Sequence, residues 1–315
     1  MYEQGRDLLG ALSDSTAPTI LEAVYARDIL FRGSVLEGLS VGLAALHRAE
    51  QSRNGALTVN VAGSLSFFLW ATGRLAEVIE VTDRAFKMTR GDDRAGAGMT
   101  FACPVAQCEF TRMLAFGDLG RIDDPRASRR RAIALACEHG DPMIEIHTLT
   151  HSLLLPVELI SFEALHDGVN RGVEAAERMG RAFTVCLALV LVTRAVCNNL
   201  QGKWAAAERD ATDGLTISTE RNVGLFVQPA ILRVLAFARL GLGQTAAAVA
   251  AADEAVEQAL QSGLATLEIA AQEMLARALW AHHGPKAIEV IDLALERAMS
   301  LAQAIGAQAW HRSSS

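Results

Sequence analysis

The chain has few of the residues that disulfide frameworks, metal clusters and membrane spans require. Its five cysteines are an odd number without a CxxC pair, which predicts neither a disulfide framework nor a zinc site. It contains no run of eighteen uncharged apolar residues and no basic N-terminal segment that precedes an apolar core. The sequence signals of membrane spans and secretion are therefore missing. We expect a protein of the reducing cytoplasm that does not bind membranes.

Aromatic residues and lysine are also scarce. Aromatic residues make up 5% of the chain, whereas 51% of it is hydrophobic, and apolar and polar residues do not alternate as in a half-buried strand. This pattern predicts an all-α fold. Only three of the 29 basic residues are Lys, a composition that resembles high-GC bacterial proteins. The net charge of −7 argues against direct nucleic-acid binding, because Lys and Arg supply most of that affinity.

The motifs of common catalytic sites are missing as well. The sequence has no GxSxG, no Walker A run and no GxGxxG after a strand, and each of these motifs is needed for a particular chemistry. We therefore expect a chain that is not an enzyme and that uses no cofactor and no metal ion.

What the sequence does contain is a break at a fixed period. Four consecutive intervals of 41 residues separate Gly120, Ser161, Gly202, Gly243 and Gly284, and Gly33 and Gly73 extend the series toward the N-terminus. A period of this size is typical of stacked repeat proteins.

A second set of breaks lies midway between the first. The segments between breaks are about twenty residues long and mostly lack internal Gly and Pro, so each is predicted to be one helix. The prediction is fourteen helices in seven hairpins, which form a right-handed α–α superhelix over a single domain, residues 1–315. This domain could also be a part of a larger multidomain regulator. The second set of breaks is Ser13, Asn54, Gly91, Gly140, Gly180, Asn222, Gly263 and Gly306.

A small residue recurs three positions after the first breaks. Because an alanine lets two helices approach closely, we expect this position to face the partner helix, and leucine there should overpack the crossing. The residues concerned are Ala76, Ala164, Ala205, Ala246 and Ala287.

Two departures from the repeat are candidates for local function. The interval from Gly73 to Gly120 has six extra residues, which we place at 117–125, with Asp124 as cap of the next helix. Three prolines are predicted inside first helices, where each would kink the helix and free a carbonyl. These are Pro104, Pro156 and Pro229.

His147 and His151 are candidate ligand-binding residues. They are four residues apart, so they share one helix face. A zincin helix would have Glu after the first His, but Thr148 is there, which argues against a metal site. The remaining alternatives are two polar residues on the inner face of a hairpin and a ligand contact.

Arg194 and Asn198 form a second candidate pair, with Arg239 near the equivalent position of the next repeat. A guanidinium and an amide can share one carboxylate, as in the clamp by which some tetratricopeptide proteins grip a peptide C-terminus. Hydrogen bonds within the neighbouring turn are the alternative.

A cluster of arginines is the third candidate. Arg126, Arg129 and Arg130 lie at the start of a predicted helix, where positive charge is electrostatically disfavoured. The cluster is either a contact for phosphate or an acidic peptide, or an exposed helix face neutralised by Asp118, Asp123 and Asp124.

Several short segments resemble the linkers of tetratricopeptide (TPR) repeats. The chain's closing segment, 294–307, is similar to the last repeat of the helical C-terminal regions of class III adenylate cyclases and LuxR-type ATPase regulators. Such arrays mediate assembly or sense an inducer, so the resemblance implies a TPR-like solenoid. It carries over no catalytic residue. The linker-like segments are His139–Pro142, Gly73–Glu77 and Gly202–Glu208.

These observations favour a non-enzymatic interaction module of a bacterial signalling protein that binds a protein or peptide on its concave surface. The alternative is a sensor of a small-molecule or signal-peptide effector inside the superhelix. An enclosed apolar lumen would favour the sensor, whereas an open polar groove would favour the scaffold. The array has no polar capping helix at its end, so a homodimer through that end is also expected.

Overall fold

The computed structural model of the chain describes residues 16–151, 162–179 and 184–309. These residues form helices joined by turns, and no strand occurs among them. The α-helices are α1 (Thr16–Phe31), α2 (Val35–Gln51), α3 (Gly55–Ala71), α4 (Leu75–Thr89), α5 (Pro104–Asp118), α6 (Asp123–Glu138), α7 (Pro142–Thr150), α8 (Phe162–Met179), α9 (Thr184–Leu200), α10 (Trp204–Arg221), α11 (Gln228–Gly241), α12 (Thr245–Ser262), α13 (Ala265–His283) and α14 (Ile288–Ile305).

The helices pack in consecutive pairs, from α1 with α2 to α13 with α14. Two 3-10 helices precede α11 and α14, at Leu225–Val227 and Gly284–Ala287. The prediction of an all-α, TPR-like solenoid is confirmed. No described helix is both long enough and apolar enough to cross a bilayer.

The recurring glycines end the first helix of five of the hairpins in the same way. Gly73 has φ +81°, its N–H donates to Trp70 O, and the N–H of Arg74 donates to Leu69 O. This is the Schellman arrangement, which needs a residue in the left-handed region and therefore favours glycine. Gly33, Gly120, Gly202 and Gly243 make the equivalent pair of hydrogen bonds. In these five hairpins the repeat period is the period of one helix terminator. Gly284 ends α13 differently, with its N–H donating to Trp280 O, and Ser161 lies outside the described residues.

The helix crossings use a different set of small residues from the predicted one. Ala205 and Ala246 are exposed, whereas Ala207 and Ala248, two residues further on, are fully buried. The prediction was wrong by half a turn, because the third position after the glycine still lies in the first turn, outside the packed face. Ala76 is exposed too, Ala287 is buried, and the side chain of Ala164 lies outside the described residues.

The extra residues of the interval from Gly73 to Gly120 do not lie at 117–125. Helix α5 ends at Asp118 and α6 begins at Asp123 with Ile122 as its N-cap, which is a turn of ordinary length. The additional chain is the non-helical segment 90–103 between α4 and α5, which we call the 90–103 loop. The spacing of the glycines shows only that the interval from Gly73 to Gly120 is longer than the others. The position of the extra residues within that interval depends on where α5 begins, which the spacing does not show.

The predicted proline kinks are not present where they can be checked. Pro104 and Pro229 lie in the first turns of α5 and α11, where the missing N–H has no intrahelical partner to lose. Pro156 lies outside the described residues. The prolines therefore start helices and free no carbonyl inside them.

The superhelix closes on itself. The seventh hairpin returns to the second, since the hydroxyl of Thr266 donates to Ala71 O at 3.5 Å and Ile305 packs against the turn at Gly73. The sixth hairpin meets the first, where the 3-10 helix Leu225–Val227 packs on α1 and a Cβ added at Gly33 would lie 3.6 Å from Leu225 Cβ. In both pairs the two hairpins that touch are five hairpins apart in the chain. The central space of the superhelix is therefore narrow.

Inner helices α3 and α5 fill most of this lumen. Every residue from Leu57 to Ala71 is buried, and in α5 every residue except Arg112 is buried. A helix that is apolar on all sides is buried on all sides, and α3 contains no charged residue. The second and third hairpins consequently present little open concave surface.

Candidate ligand cavity on the superhelix axis

A partly open cavity of about 40 Å³ remains between the inner helices. Hairpins one to four and six all contribute to its wall, together with the 90–103 loop. The lining residues are Arg27, Leu30, Ser64, Phe67, Phe101, Gln107, Phe110, Met143, His147, His151 and Phe226.

The 90–103 loop supplies one side of the cavity. The side-chain amide of Asn60 donates to Gly96 O at 3.2 Å, and the hydroxyl of Thr100 donates to Asn60 Oδ1 at 2.6 Å. At the end of the loop, the Cys103 N–H donates to Asp141 Oδ2 at 3.1 Å. These bonds hold Phe101 buried in the cavity wall. The insertion in the repeat is therefore part of this site.

Helix α7 places both predicted histidines in the cavity wall. Asp141 caps this helix by accepting from the Ile144 N–H at 3.1 Å. One turn later, Nδ1 of His151 lies 3.1 Å from His147 O, so Nδ1 carries the proton and donates. In a neutral ring, Nε2 of His151 is then an acceptor.

Burial keeps both rings neutral. Burial, followed by the positive charge of Arg27, lowers the pKa of His147 to about 4. Burial and the neighbouring His147 lower the pKa of His151 well below its ordinary value, against the opposing hydrogen bond to His147 O. A histidine that loses its hydration without gaining an anion is most stable uncharged.

An aromatic cluster surrounds the two imidazoles. The rings of Phe67 and Phe110 are stacked with centroids 5.9 Å apart, and His151 meets each of them edge-on, at 5.8 and 5.2 Å. Phe226, from the sixth hairpin, contacts Phe67 edge-on at 5.3 Å. Such ring pairs add to the burial energy and fix the relative positions of the rings.

Three buried polar atoms at this cavity have no hydrogen-bond partner among the described residues. They are Nε2 of His147, Nε2 of His151 and Oε1 of Gln107. The three side chains are 8%, 2% and 5% exposed. Most buried polar atoms in proteins are hydrogen-bonded to protein or water, so three such atoms at one cavity are unusual.

Arg27 is the one charged residue among the described residues that line the cavity. Its Nη1 donates to Thr100 O at 3.1 Å, and its guanidinium lies 5.0 Å from the centre of the Phe101 ring. Burial lowers its pKa, opposed by the more distant Asp141 and Asp28. The site therefore combines neutral acceptors, an apolar wall and one cation.

The second candidate pair already holds a carboxylate of this chain. Arg194 donates to both oxygens of Asp210, at 2.9 and 2.7 Å, and Nδ2 of Asn198 donates to Asp210 Oδ2 at 2.9 Å. This hydrogen bonding raises the pKa of Arg194. The guanidinium of Arg239 similarly contacts Glu208 Oε1 and Ala247 O. A ligand carboxylate would have to displace Asp210, and these residues do not join His147 and His151.

The arginine cluster lies on the outer surface. Arg126 and Arg130 are exposed and Arg129 is half-buried on α6. Asp124 pairs with Arg121 rather than with the cluster, and Asp118 is buried, accepting from the Trp70 indole at 2.7 Å. Neutralisation of the cluster by Asp118 and Asp123 stays a prediction. A contact to phosphate or an acidic peptide at this cluster stays a prediction.

Glu145 does not join the histidine pair. It points away to Arg171, with Nη2 of Arg171 2.9 Å from Glu145 Oε1. Within the described ranges, no group of three His, Cys, Asp or Glu side chains is arranged to hold a metal ion.

Sequence reasoning missed Arg27, Gln107 and the four phenylalanines of the cavity. The positions of these residues within their repeats do not distinguish them from other residues of the repeats. Because they are far apart in the chain, they meet only when the superhelix closes. One usable signal was present, namely Asn60 within a helix that contains no charged residue.

No protein-family model matches the chain, and no curated protein matches it. A solved tetratricopeptide repeat protein from Parabacteroides merdae is similar over 90% of this chain and 99% of its own, with 14% identity and a TM-score of 0.42. The APC/C hetero-tetramer Cut9–Hcn1 is similar over 98% of this chain and 58% of its own, with 11% identity and a TM-score of 0.42. The resemblance to cyclase and LuxR-type arrays stays a prediction.

Proposed function

We propose that this chain is a non-enzymatic sensor module, which binds a small molecule in the axial cavity and thereby regulates a signalling protein. The single observation that carries this proposal is the set of three buried polar atoms without a partner among the described residues, on His147, His151 and Gln107, at one cavity. A buried polar atom without a partner costs about 1 to 3 kcal/mol. A ligand that satisfies these atoms recovers that free energy.

The shape of the array supports a sensor over a groove for a long peptide. Helices α3 and α5 are buried on almost every side, so an extended partner has no open concave face to lie on in these two hairpins. A small molecule in a cavity of about 40 Å³ needs no such face.

The position of the cavity also explains how binding could be transmitted. Its wall includes Arg27 of the first hairpin and Phe226 of the sixth, and these hairpins meet where the superhelix closes. A ligand that prefers the closed arrangement shifts the population toward it. Surfaces at the closing contacts then differ between the free and the bound protein.

The test is a native mass spectrum of the purified chain compared with its denatured mass. We expect a bound small molecule in the wild type, reduced occupancy in His147→Phe, and wild-type occupancy in His47→Phe. His47 is exposed on α2, so His47→Phe controls for the same chemical change away from the cavity. Equal native and denatured masses, together with no thermal stabilisation by a metabolite extract, would contradict the proposal.

A protein partner is a second candidate function, and it is supported by the last helix. Helix α14 exposes five large apolar side chains, and a second copy of the chain is the proposed partner. Ile288, Leu295 and Met299 share one side of the helix and Val290 and Leu293 lie on another side, and exposed apolar patches mark interaction sites. The same native spectrum tests this, because we expect a dimer that Leu293→Glu dissociates and Gln303→Glu does not. A wild-type monomer would contradict it. The exposed residues are Ile288, Val290, Leu293, Leu295 and Met299.

A further inference from the structure

The charges around the cavity select the charge of its ligand. Arg27 is half-buried, and the described part of the chain gives it no carboxylate within ion-pair distance, since its side-chain contacts are Thr100 O and the Phe101 ring. No Asp or Glu is among the described lining residues. A buried cation is usually paired, so the site favours an anion and disfavours a second cation.

The unpartnered atoms select the other polar group of the ligand. Nε2 of His151 is an acceptor, because Nδ1 already donates to His147 O, and Oε1 of Gln107 is an acceptor by its chemistry. Neither finds a donor among the described residues. The ligand must therefore bring an O–H or N–H. Beside Arg27, a hydroxyl fits better than an ammonium group.

Size and wall composition limit the rest of the molecule. A single water needs roughly 10 to 15 Å³, so a cavity of about 40 Å³ admits a handful of non-hydrogen atoms. Phe67 and Phe110 line it with stacked rings, which suit a short apolar group.

We propose that the ligand is a short hydroxycarboxylate. Its carboxylate binds the guanidinium of Arg27, its hydroxyl donates to Nε2 of His151 or Oε1 of Gln107, and its carbon chain lies against Phe67 and Phe110. His147 Nε2, which also lacks a partner, faces the same molecule and takes the tautomer that the ligand requires. This proposal rests on the proposed sensor function, since it names the ligand class of the same cavity.

The experiment uses four probes of closely similar size, measured by isothermal titration calorimetry and thermal shift at pH 7.5. Lactate carries both polar groups, propionate lacks the hydroxyl, lactamide lacks the charge, and alanine replaces the hydroxyl with an ammonium group. We expect lactate to bind at least tenfold more tightly than each of the others. Leaving a buried acceptor or the guanidinium without a partner weakens binding.

Two variants locate the binding. Arg27→Gln should weaken lactate binding at least tenfold. Arg32 is exposed directly after the end of α1, so Arg32→Gln should leave lactate binding unchanged. Gln107→Met keeps the side-chain length and should reduce the preference for lactate over propionate. A folded Arg27→Gln protein that binds lactate as the wild type does would overturn the assignment.

The outcomes separate this proposal from the sensor function. Equal binding of lactate and lactamide, or of lactate and propionate, overturns the hydroxycarboxylate. If no probe binds but the native spectrum shows another bound molecule, the ligand class is wrong and the sensor function stands. If no probe binds and no molecule is bound, the cavity holds only water and both proposals fail.

Discussion

At the scale of single residues, the most unusual feature is a pair of neutral histidines whose outer nitrogens have no partner. His147 and His151 sit among phenylalanines, where apolar residues of similar volume would pack without any unsatisfied atom. Together with Gln107 they cost about 3 to 9 kcal/mol if nothing binds them, at about 1 to 3 kcal/mol for each atom. This cost is the residue-scale reason to assign them to ligand binding.

The stability of the protein should fall in mild acid because of His147. Its pKa in the folded state is about 4, below the ordinary value of 6.5. Between these two values the unfolded chain binds a proton that the folded chain does not, so the free energy of unfolding decreases as the pH falls. By linkage, the contribution of His147 at pH 5 is about 2 kcal/mol smaller than at pH 7.5.

Urea unfolding of the wild type and of His147→Phe at pH 7.5 and 5.0 measures this contribution. The variant should lose about 2 kcal/mol less than the wild type between the two pH values, and His47→Phe should behave as the wild type. If the loss is the same in the wild type and in His147→Phe, the neutral state of the buried ring is wrong.

At the scale of secondary-structure elements, small residues decide how closely the two helices of a hairpin approach. Ala207 and Ala211 on α10, and Ala248 and Ala252 on α12, are buried with no exposed surface. On α2 the equivalent residue is Gly38, where an added Cβ would lie 2.2 Å from the Phe68 ring. The same added Cβ would lie 3.0 Å from Ala26 O on α1. At this position the stripe therefore meets both the first helix of its own hairpin and the first helix of the next hairpin, and there is no room for a side chain.

Leucine in this stripe should destabilise the protein, and leucine two residues earlier should not. We expect Ala207→Leu and Ala248→Leu to lower the free energy of unfolding by about 1 to 3 kcal/mol, because the crossings become overpacked. Ala205→Leu and Ala246→Leu are exposed controls and should stay within about 0.5 kcal/mol of the wild type. The midpoints of chemical denaturation give these differences. A larger effect at the exposed pair would restore the register expected from the sequence.

At the scale of the whole molecule, closure of the superhelix creates the cavity. Gly73 lies both in a Schellman turn and at the contact between the second and seventh hairpins, and an added Cβ would lie 2.6 Å from Ile305 Cγ2. Gly243 makes the same turn, with φ +73°, but nothing lies within 4 Å of its added Cβ. Alanine substitutions at the two glycines therefore distinguish the backbone strain of the turn, which both share, from the packing at the closing contact, which only Gly73 has.

We expect Gly243→Ala to cost about 1 to 2 kcal/mol, which is the cost of a left-handed alanine. Gly73→Ala should cost this amount and about 1 to 3 kcal/mol more, from overpacking against Ile305. Urea unfolding of both variants measures the difference, and small-angle scattering should show expansion only for Gly73→Ala. Equal costs and equal radii of gyration would mean that closure at this contact contributes nothing.

The sequence by itself determined the class of fold, the pairing of helices in hairpins and the positions of the turns that lie within the described residues. These are local properties, since a glycine in the left-handed region ends a helix whatever packs on it later. It also indicated His147 and His151, because a four-residue spacing on a helix is itself local. The sequence did not determine which small residues are buried between the helices. It also did not determine where the 90–103 loop lies or that Arg194 pairs with Asp210.

Only the tertiary structure decided that the superhelix closes and that a cavity remains on its axis. Arg27, Gln107 and Phe226 meet there although they are far apart in the chain, because the curvature of the array sums small rotations over all hairpins. No local pattern encodes that sum. The histidines were visible in the sequence as a pair, and their surroundings, which make them a candidate site, exist only in the closed molecule.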